Sequence, residues 1–129
     1  MKRVVITGIG WVTPLGFDIN AVWDRLLNGD CAIAPTRKFD ASTFPTTFSS
    51  EVTEDYDYRN YIKKPELHEG IGLNTAFALG AAVQAWRNAG LDRPDENNPL
   101  DPERVGMYLG SGEGSLDFDN YVAVNLGAW

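Results

Sequence analysis

The amino-acid sequence predicts an α/β fold, and three segments carry that prediction. Residues 4–6 are a β-branched run that ends at a glycine, residues 70–89 are a helical segment rich in small residues, and residues 105–109 are a second apolar run that leads into a glycine cluster. Neither run alternates strictly with charged residues, which is typical of strands buried on both faces of a sheet. We therefore expect two buried strands with a helix packed against them, in one domain or part of one.

A short amphipathic helix is predicted to follow the first strand. Asp18 or Asn20 can cap it, because either side chain accepts a hydrogen bond from the first turn of a helix. Gly29 stands where a left-handed residue would end the helix. Residues 31–61 contain prolines, many hydroxyl residues and an acidic cluster without a sustained period, so we expect a long covering loop with short strand pieces. The apolar residues at helical spacing are Val22, Trp23, Leu26 and Leu27.

The longest periodic segment, residues 70–89, is apolar almost all the way round, which predicts a buried helix. Arg87 in its last turn and Gly90 just beyond it are typical of a helix end. Small residues along it would let a neighbouring sheet or helix approach closely. These residues are Ala76, Gly80, Ala81 and Ala85.

Charge and composition argue against several classes of function. Eighteen acidic residues against eleven basic ones give a net charge of −7, which repels a phosphate backbone, so we expect no nucleic-acid partner. No uncharged stretch reaches the roughly 20 apolar residues of a membrane-spanning helix, and we expect no membrane association. Cys31 is the single cysteine, which excludes an internal disulfide, and with one histidine we expect no metal site. A cytoplasmic location fits these features.

Two glycine motifs have both a functional and a structural interpretation. Gly8 and Gly10 follow the first strand as in a dinucleotide-binding turn, but Thr13 occupies the place of the third glycine. The cluster at residues 110–114 resembles a nest for an anion, but it lacks the lysine of a phosphate loop and contains an acidic residue. We therefore favour tight turns and close backbone packing, and we expect no cofactor.

Cys31 and His68 would act as nucleophile and base only if the fold brought them together, because a thiolate needs a nearby imidazole or helix N-terminus to lower its pKa. A lone cysteine after a helix is more often a small buried apolar residue. A histidine just before a helix more often lies on the surface or caps the helix. We expect these structural roles for both residues.

Several short motifs, taken in order, resemble one known family. Residues 3–16 read RVVITGIGWVTPLG, residues 23–29 read WDRLLNG, Phe39 precedes Asp40, residues 81–85 read AAVQA, and residues 104–106 read RVG before GSG at 110–112. This order resembles the N-terminal part of the β-ketoacyl-acyl carrier protein synthases, the elongating condensing enzymes of fatty acid and polyketide synthesis. The similarity covers nearly the whole chain, which makes it far more specific than a single glycine pattern.

The resemblance implies a thiolase-like layered α/β fold, of which residues 1–129 would be only the beginning of the first half. The strands at 4–6 and 105–109 would then be neighbours in one sheet. The family's nucleophilic cysteine, two histidines and supporting lysine have no counterpart in these residues, so we expect no catalytic residue and no turnover by this chain alone. Acyl carrier protein is the implied partner, and the intact protein would be a homodimer or heterodimer.

Two departures from the family pattern concern substrate and partner. Gly112 and Glu113 fall at the acyl-pocket gate, where many family members place a bulky apolar residue. A buried carboxylate beside an alkyl chain is costly unless it is protonated or paired, so either the pocket takes a polar or short acyl group or the Glu113 side chain turns toward the dimer contact. Lys63 and Lys64 are what remains of a basic stretch before the long helix, which predicts weakened docking of the acidic carrier protein.

Three functions stay open from the sequence. The first is the N-terminal portion of a β-ketoacyl synthase, and the second is a non-catalytic partner subunit of a heterodimeric synthase that sets chain length. A nucleotide-binding oxidoreductase fragment is the third. For the chain alone we expect apolar surface exposed around the long helix, and self-association through it.

Overall fold

A computed structural model describes residues 3–92, 100–110 and 126–127 of the chain. The named elements in this part are two α-helices, a two-stranded sheet and three 3₁₀ turns. Helix α1 is Ile19–Leu27, strands β1 and β2 are Ile33–Pro35 and Phe48–Ser50, and helix α2 is Leu73–Asn88. The 3₁₀ turns are Tyr58–Tyr61, Pro65–His68 and Pro102–Arg104. Neither α-helix has the length and hydrophobicity needed to cross a membrane.

Helix α1 begins and ends where the sequence predicts. Asp18 is the N-cap rather than Asn20, because the Asp18 carboxylate accepts a hydrogen bond from the backbone N–H of Ala21 at 2.8 Å. The helix ends before Gly29, whose φ of 76° lies in the left-handed region. Val22 is the one apolar residue of this helix that is fully buried, with 1% of its surface exposed.

The segment after α1 is the predicted covering loop with short strand pieces. Strands β1 and β2 pair antiparallel, with Ile33 opposite Ser50 and Pro35 opposite Phe48. The loop between them is closed by the Glu51 carboxylate, whose Oε1 accepts hydrogen bonds from the Ser49 hydroxyl at 2.8 Å and from the backbone N–H groups of residues 37 and 38 at 3.2 and 3.4 Å. A pair of aromatic rings in the loop, Phe39 and Phe44, packs edge to face.

Helix α2 confirms the prediction of a long helix in this segment, but the prediction that the helix is buried almost all round is wrong. It ends at Asn88, before Gly90 with its φ of 72°. Of its residues only Ala76 and Gly80 are buried, whereas Trp86 is 37% exposed. Within the described residues the N-terminal segment and the loop around Tyr56 contact this helix, and residues 77–79 and 81–85 are only partly buried. This partial cover explains the difference.

The centre of the described packing is an aromatic cluster against α2. The Tyr56 hydroxyl donates a hydrogen bond to the Ala76 carbonyl at 2.6 Å. The Tyr56 ring meets Phe17 and Phe77 edge to face, with ring centres 5.3 and 5.5 Å apart, and lies 6.0 Å from the ring of Tyr61. This cluster fixes the covering loop on the helix.

The prediction of two buried strands is wrong for the part of the chain that the structure describes. No strand forms at residues 4–6 or 105–109. Val4 and Ile6 are 96% and 86% exposed, and Tyr108 is 99% exposed. β-branched residues favour a strand only when a neighbouring strand takes up their backbone hydrogen bonds. Nothing in the described residues pairs with either segment, so both lack that partner.

Candidate functional site

The glycines at the N-terminus lie against α2. A methyl group at Gly8 or Gly10 would overlap backbone atoms of Ala85 or Ala81. The predicted close approach at the small residues of α2 is therefore confirmed for these two alanines. This packing explains both glycines without a bound ligand.

Two polar side chains of α2 hold the same segment through its backbone. The backbone N–H of Ile9 donates to the Asn88 Oδ1 at 3.0 Å, and the Gln84 side-chain amide donates to the Trp11 carbonyl at 2.9 Å. Gln84 and Asn88 are four residues apart, so they share one face of the helix. The sequence analysis missed both residues, although two amides four residues apart in the second half of a largely apolar helix are a detectable signal.

The turn after these glycines differs from a dinucleotide-binding turn. Thr13 and Gly16 exchange two backbone hydrogen bonds of 2.9 Å, and the Thr13 hydroxyl also donates to the Gly16 carbonyl. The chain therefore closes a tight turn here, and α1 begins only at Ile19. A pyrophosphate site needs a helix N-terminus directly after the glycines. The geometry thus disfavours the nucleotide-binding interpretation.

Cys31 lies at the surface, which corrects the expectation of a buried cysteine. Its sulfur accepts a weak hydrogen bond from the backbone N–H of Ile33 at 3.5 Å. It forms part of the wall of an apolar cavity of about 340 Å³ between the N-terminal segment, α1 and the sheet. Cys31 is exposed because it follows directly on the turn that ends α1, before the chain enters β1.

His68 lies in a different environment, at the end of the turn Pro65–His68. The Tyr58 hydroxyl donates a hydrogen bond to the His68 carbonyl at 2.9 Å. No contact within the described residues joins the His68 imidazole to the Cys31 thiol. The pair therefore does not form a nucleophile and base here. Over the same residues, no three histidine, cysteine or carboxylate side chains gather as metal ligands.

Lys63 and Lys64 are both exposed, between two 3₁₀ turns. Within the described part of the chain, neither ammonium group lies within ion-pairing distance of a carboxylate. The nearby Arg59 is different, because its guanidinium donates to both Asp57 carboxylate oxygens at 2.8 and 3.0 Å. These hydrogen bonds lower the pKa of Asp57 and neutralise Arg59 locally. The two lysines therefore present the unpaired positive charge of this surface.

An acidic concave surface adjoins the lysines. It encloses about 1060 Å³, and its walls come from residues 54–60, 65–66, 69–71, 73 and 76. The acidic residues along it outnumber Arg59, so the net field of the concavity is negative and would repel an acidic partner. A partner that is drawn to the lysines must approach away from this surface. The carboxylates concerned are Glu54, Asp55, Asp57, Glu66 and Glu69.

Tyr56 is a further residue that the sequence analysis missed. Burial, with a smaller contribution from the neighbouring Tyr61, raises the pKa of its phenol to about 12. A methyl group at Gly80 would overlap the Tyr56 hydroxyl, so this glycine makes room for the phenol. Tyr56 lies in a segment without periodicity, and no local pattern marked it as a packing residue.

The predicted acyl-pocket residues, Gly112 and Glu113, lie outside the residues that the structure describes. The described segment leading toward them, residues 105–110, is exposed. Their placement at the pocket gate stays a prediction.

Comparison with known proteins shows which family this chain belongs to. Residues 1–126 match the family model described as the N-terminal domain of β-ketoacyl synthase. The chain belongs to this family, which confirms the resemblance drawn from its motifs. The family implies a thiolase-like fold, and the described helices and sheet contain nothing that conflicts with it.

Individual relatives carry consistent names. The chain is 38% identical to 3-oxoacyl-[acyl-carrier-protein] synthase 2 of Coxiella burnetii over 125 residues, covering 95% of this chain and 29% of the relative. It is 35% identical to the synthase of the same name from Vibrio harveyi, covering 90% and 26%. It is 34% identical to the chloroplastic synthase I of Hordeum vulgare, covering 89% and 25%. The chain thus spans between a quarter and 29% of the length of these relatives.

Proposed function

We propose that this chain is the N-terminal portion of a β-ketoacyl-acyl carrier protein synthase that elongates acyl chains in fatty acid synthesis. The observation that carries the proposal is the match over residues 1–126, together with relatives that are named as synthases of this kind. Those names do not favour the alternative of a non-catalytic partner subunit. The intact protein would work in the cytoplasm as a dimer.

The chain supplies structure to this reaction rather than a catalytic side chain. The proposed chemistry moves an acyl group from its carrier thioester to a cysteine, then decarboxylates a malonyl thioester and forms a carbon-carbon bond. These steps need an activated thiolate and groups that stabilise an oxyanion or enolate. Cys31 does not fit that role, since it is exposed on a turn and has no contact with the described imidazole of His68. The nucleophile would come from residues outside this chain.

Exposed surface supports the proposal that residues 1–129 are an incomplete domain. Among the described residues, Val4, Ile6, Met107 and Tyr108 expose 82–99% of their surface. Large apolar side chains are usually buried in a finished domain. The other apolar residues at 4–6 and 105–109 are also exposed, from 44% at Val105 to 72% at Val5. In a layered fold they would be covered by neighbouring strands.

We place the carrier-protein contact at Lys63 and Lys64. Both are exposed and unpaired within the described residues, and acyl carrier protein is acidic, so attraction between them favours encounter. The acidic concavity beside the lysines would repel the carrier protein, so the carrier would reach the lysines from the side away from the concavity. We further propose that Gly112 and Glu113 form the gate of the acyl pocket in the intact synthase.

A chimera tests the proposed function directly. Residues 1–126 of this chain would replace the matching segment of the Coxiella burnetii synthase, and the 3-oxoacyl product formed from acyl and malonyl carrier thioesters would be measured. We expect product from the chimera and none from the isolated chain. The control is the same chimera with Gly10→Leu, which cannot seat its N-terminal segment on α2. A chimera with the parent's helix content but no product would refute the proposal.

A further inference from the structure

We draw no further inference here: the strongest candidate, the apolar cavity of about 340 Å³ between the N-terminal segment, α1 and the sheet with the Cys31 thiol in its wall, rests on a lone cysteine, and nothing in the described part of the chain shows what occupies or covers it.

Discussion

Replacing Gly10 with alanine tests the packing of the N-terminal segment on α2. The added Cβ would lie 2.5 Å from the backbone nitrogen of Ala85 and 2.8 Å from the Cβ of Gln84, and closer still to the carbonyl oxygen of Ala81. All three atoms belong to the body of a helix, so none can move aside cheaply. The N-terminal segment itself must therefore shift away from α2.

The cost of that shift follows from two contributions. Overpacking a close contact costs about 1–3 kcal/mol. Each hydrogen bond that the shift breaks adds about 0.5–1.5 kcal/mol, and two are at risk, from the Ile9 N–H to Asn88 and from Gln84 to the Trp11 carbonyl. Partial relaxation keeps the two contributions from adding in full. We expect the free energy of unfolding to fall by about 2–4 kcal/mol.

Urea unfolding, followed by circular dichroism and tryptophan fluorescence at low protein concentration, measures this change. The matched control is Gly106→Ala, because no atom lies within 4 Å of the Cβ position at Gly106 and its φ is not positive. The control should change stability by no more than about 0.5 kcal/mol. If Gly10→Ala and Gly106→Ala had the same small effect, the N-terminal segment would not pack on α2 as described.

Four further outcomes are expected. Tyr56→Phe should destabilise the chain by about 1 kcal/mol, and in the wild type stability should decline from about pH 10 to about pH 12, because burial raises the phenol pKa. Tyr108→Phe, at an exposed ring, is its control, and equal alkaline profiles for both variants would contradict the burial of Tyr56. The hydrogen bonds to the Glu51 carboxylate, chiefly from Ser49, lower its pKa below the usual value of 4.5. The ionised carboxylate therefore stabilises the folded chain above pH 4.5, and this contribution is lost as the pH falls through the pKa of Glu51 in the folded state. The protection factors of residues 36–48 against hydrogen exchange should therefore fall on acidification in the wild type and less so in Glu51→Gln, and an unchanged acid response in the variant would remove Glu51 from this role. In the intact synthase, Lys63→Glu with Lys64→Glu should raise the KM for the acyl carrier substrate about tenfold, which corresponds to about 1.4 kcal/mol, and leave kcat unchanged. Lys38→Glu, in the loop between β1 and β2, should leave KM unchanged, and an equal effect of both changes would indicate non-specific charge repulsion. Glu113→Ile should shift product length toward longer acyl chains if Glu113 lines the pocket, and an unaltered distribution would exclude that position.

The helix ends were predictable because their signals are local. Asp18 needs only a donor three residues away, and Gly29 and Gly90 need only the freedom to adopt a positive φ. The role of Tyr56 was not predictable in this way. Its partner, the Ala76 carbonyl, is twenty residues away in sequence, and nothing in the intervening loop marks the contact.

The exposure of Cys31 and the absence of two predicted strands have related causes. Burial of a small side chain and formation of a strand both depend on what lies next to them in space. Cys31 follows directly on the turn after α1 and remains open. The apolar runs at 4–6 and 105–109 have high strand propensity, but propensity does not replace the hydrogen bonds of a neighbouring strand.

The contact of the N-terminal segment with α2 explains which part of a layered fold forms in this chain. The glycines let the backbone approach the helix, and Gln84 and Asn88 satisfy polar groups of residues 9–11 that would otherwise need another partner. That contact requires only residues of this chain. Residues 4–6 have no equivalent side chains opposite them within the described residues, so their backbone and apolar side chains stay exposed. A helix with suitably spaced amides can therefore fix one end of a strand-forming segment, whereas the rest of that segment becomes a strand only when other strands cover it.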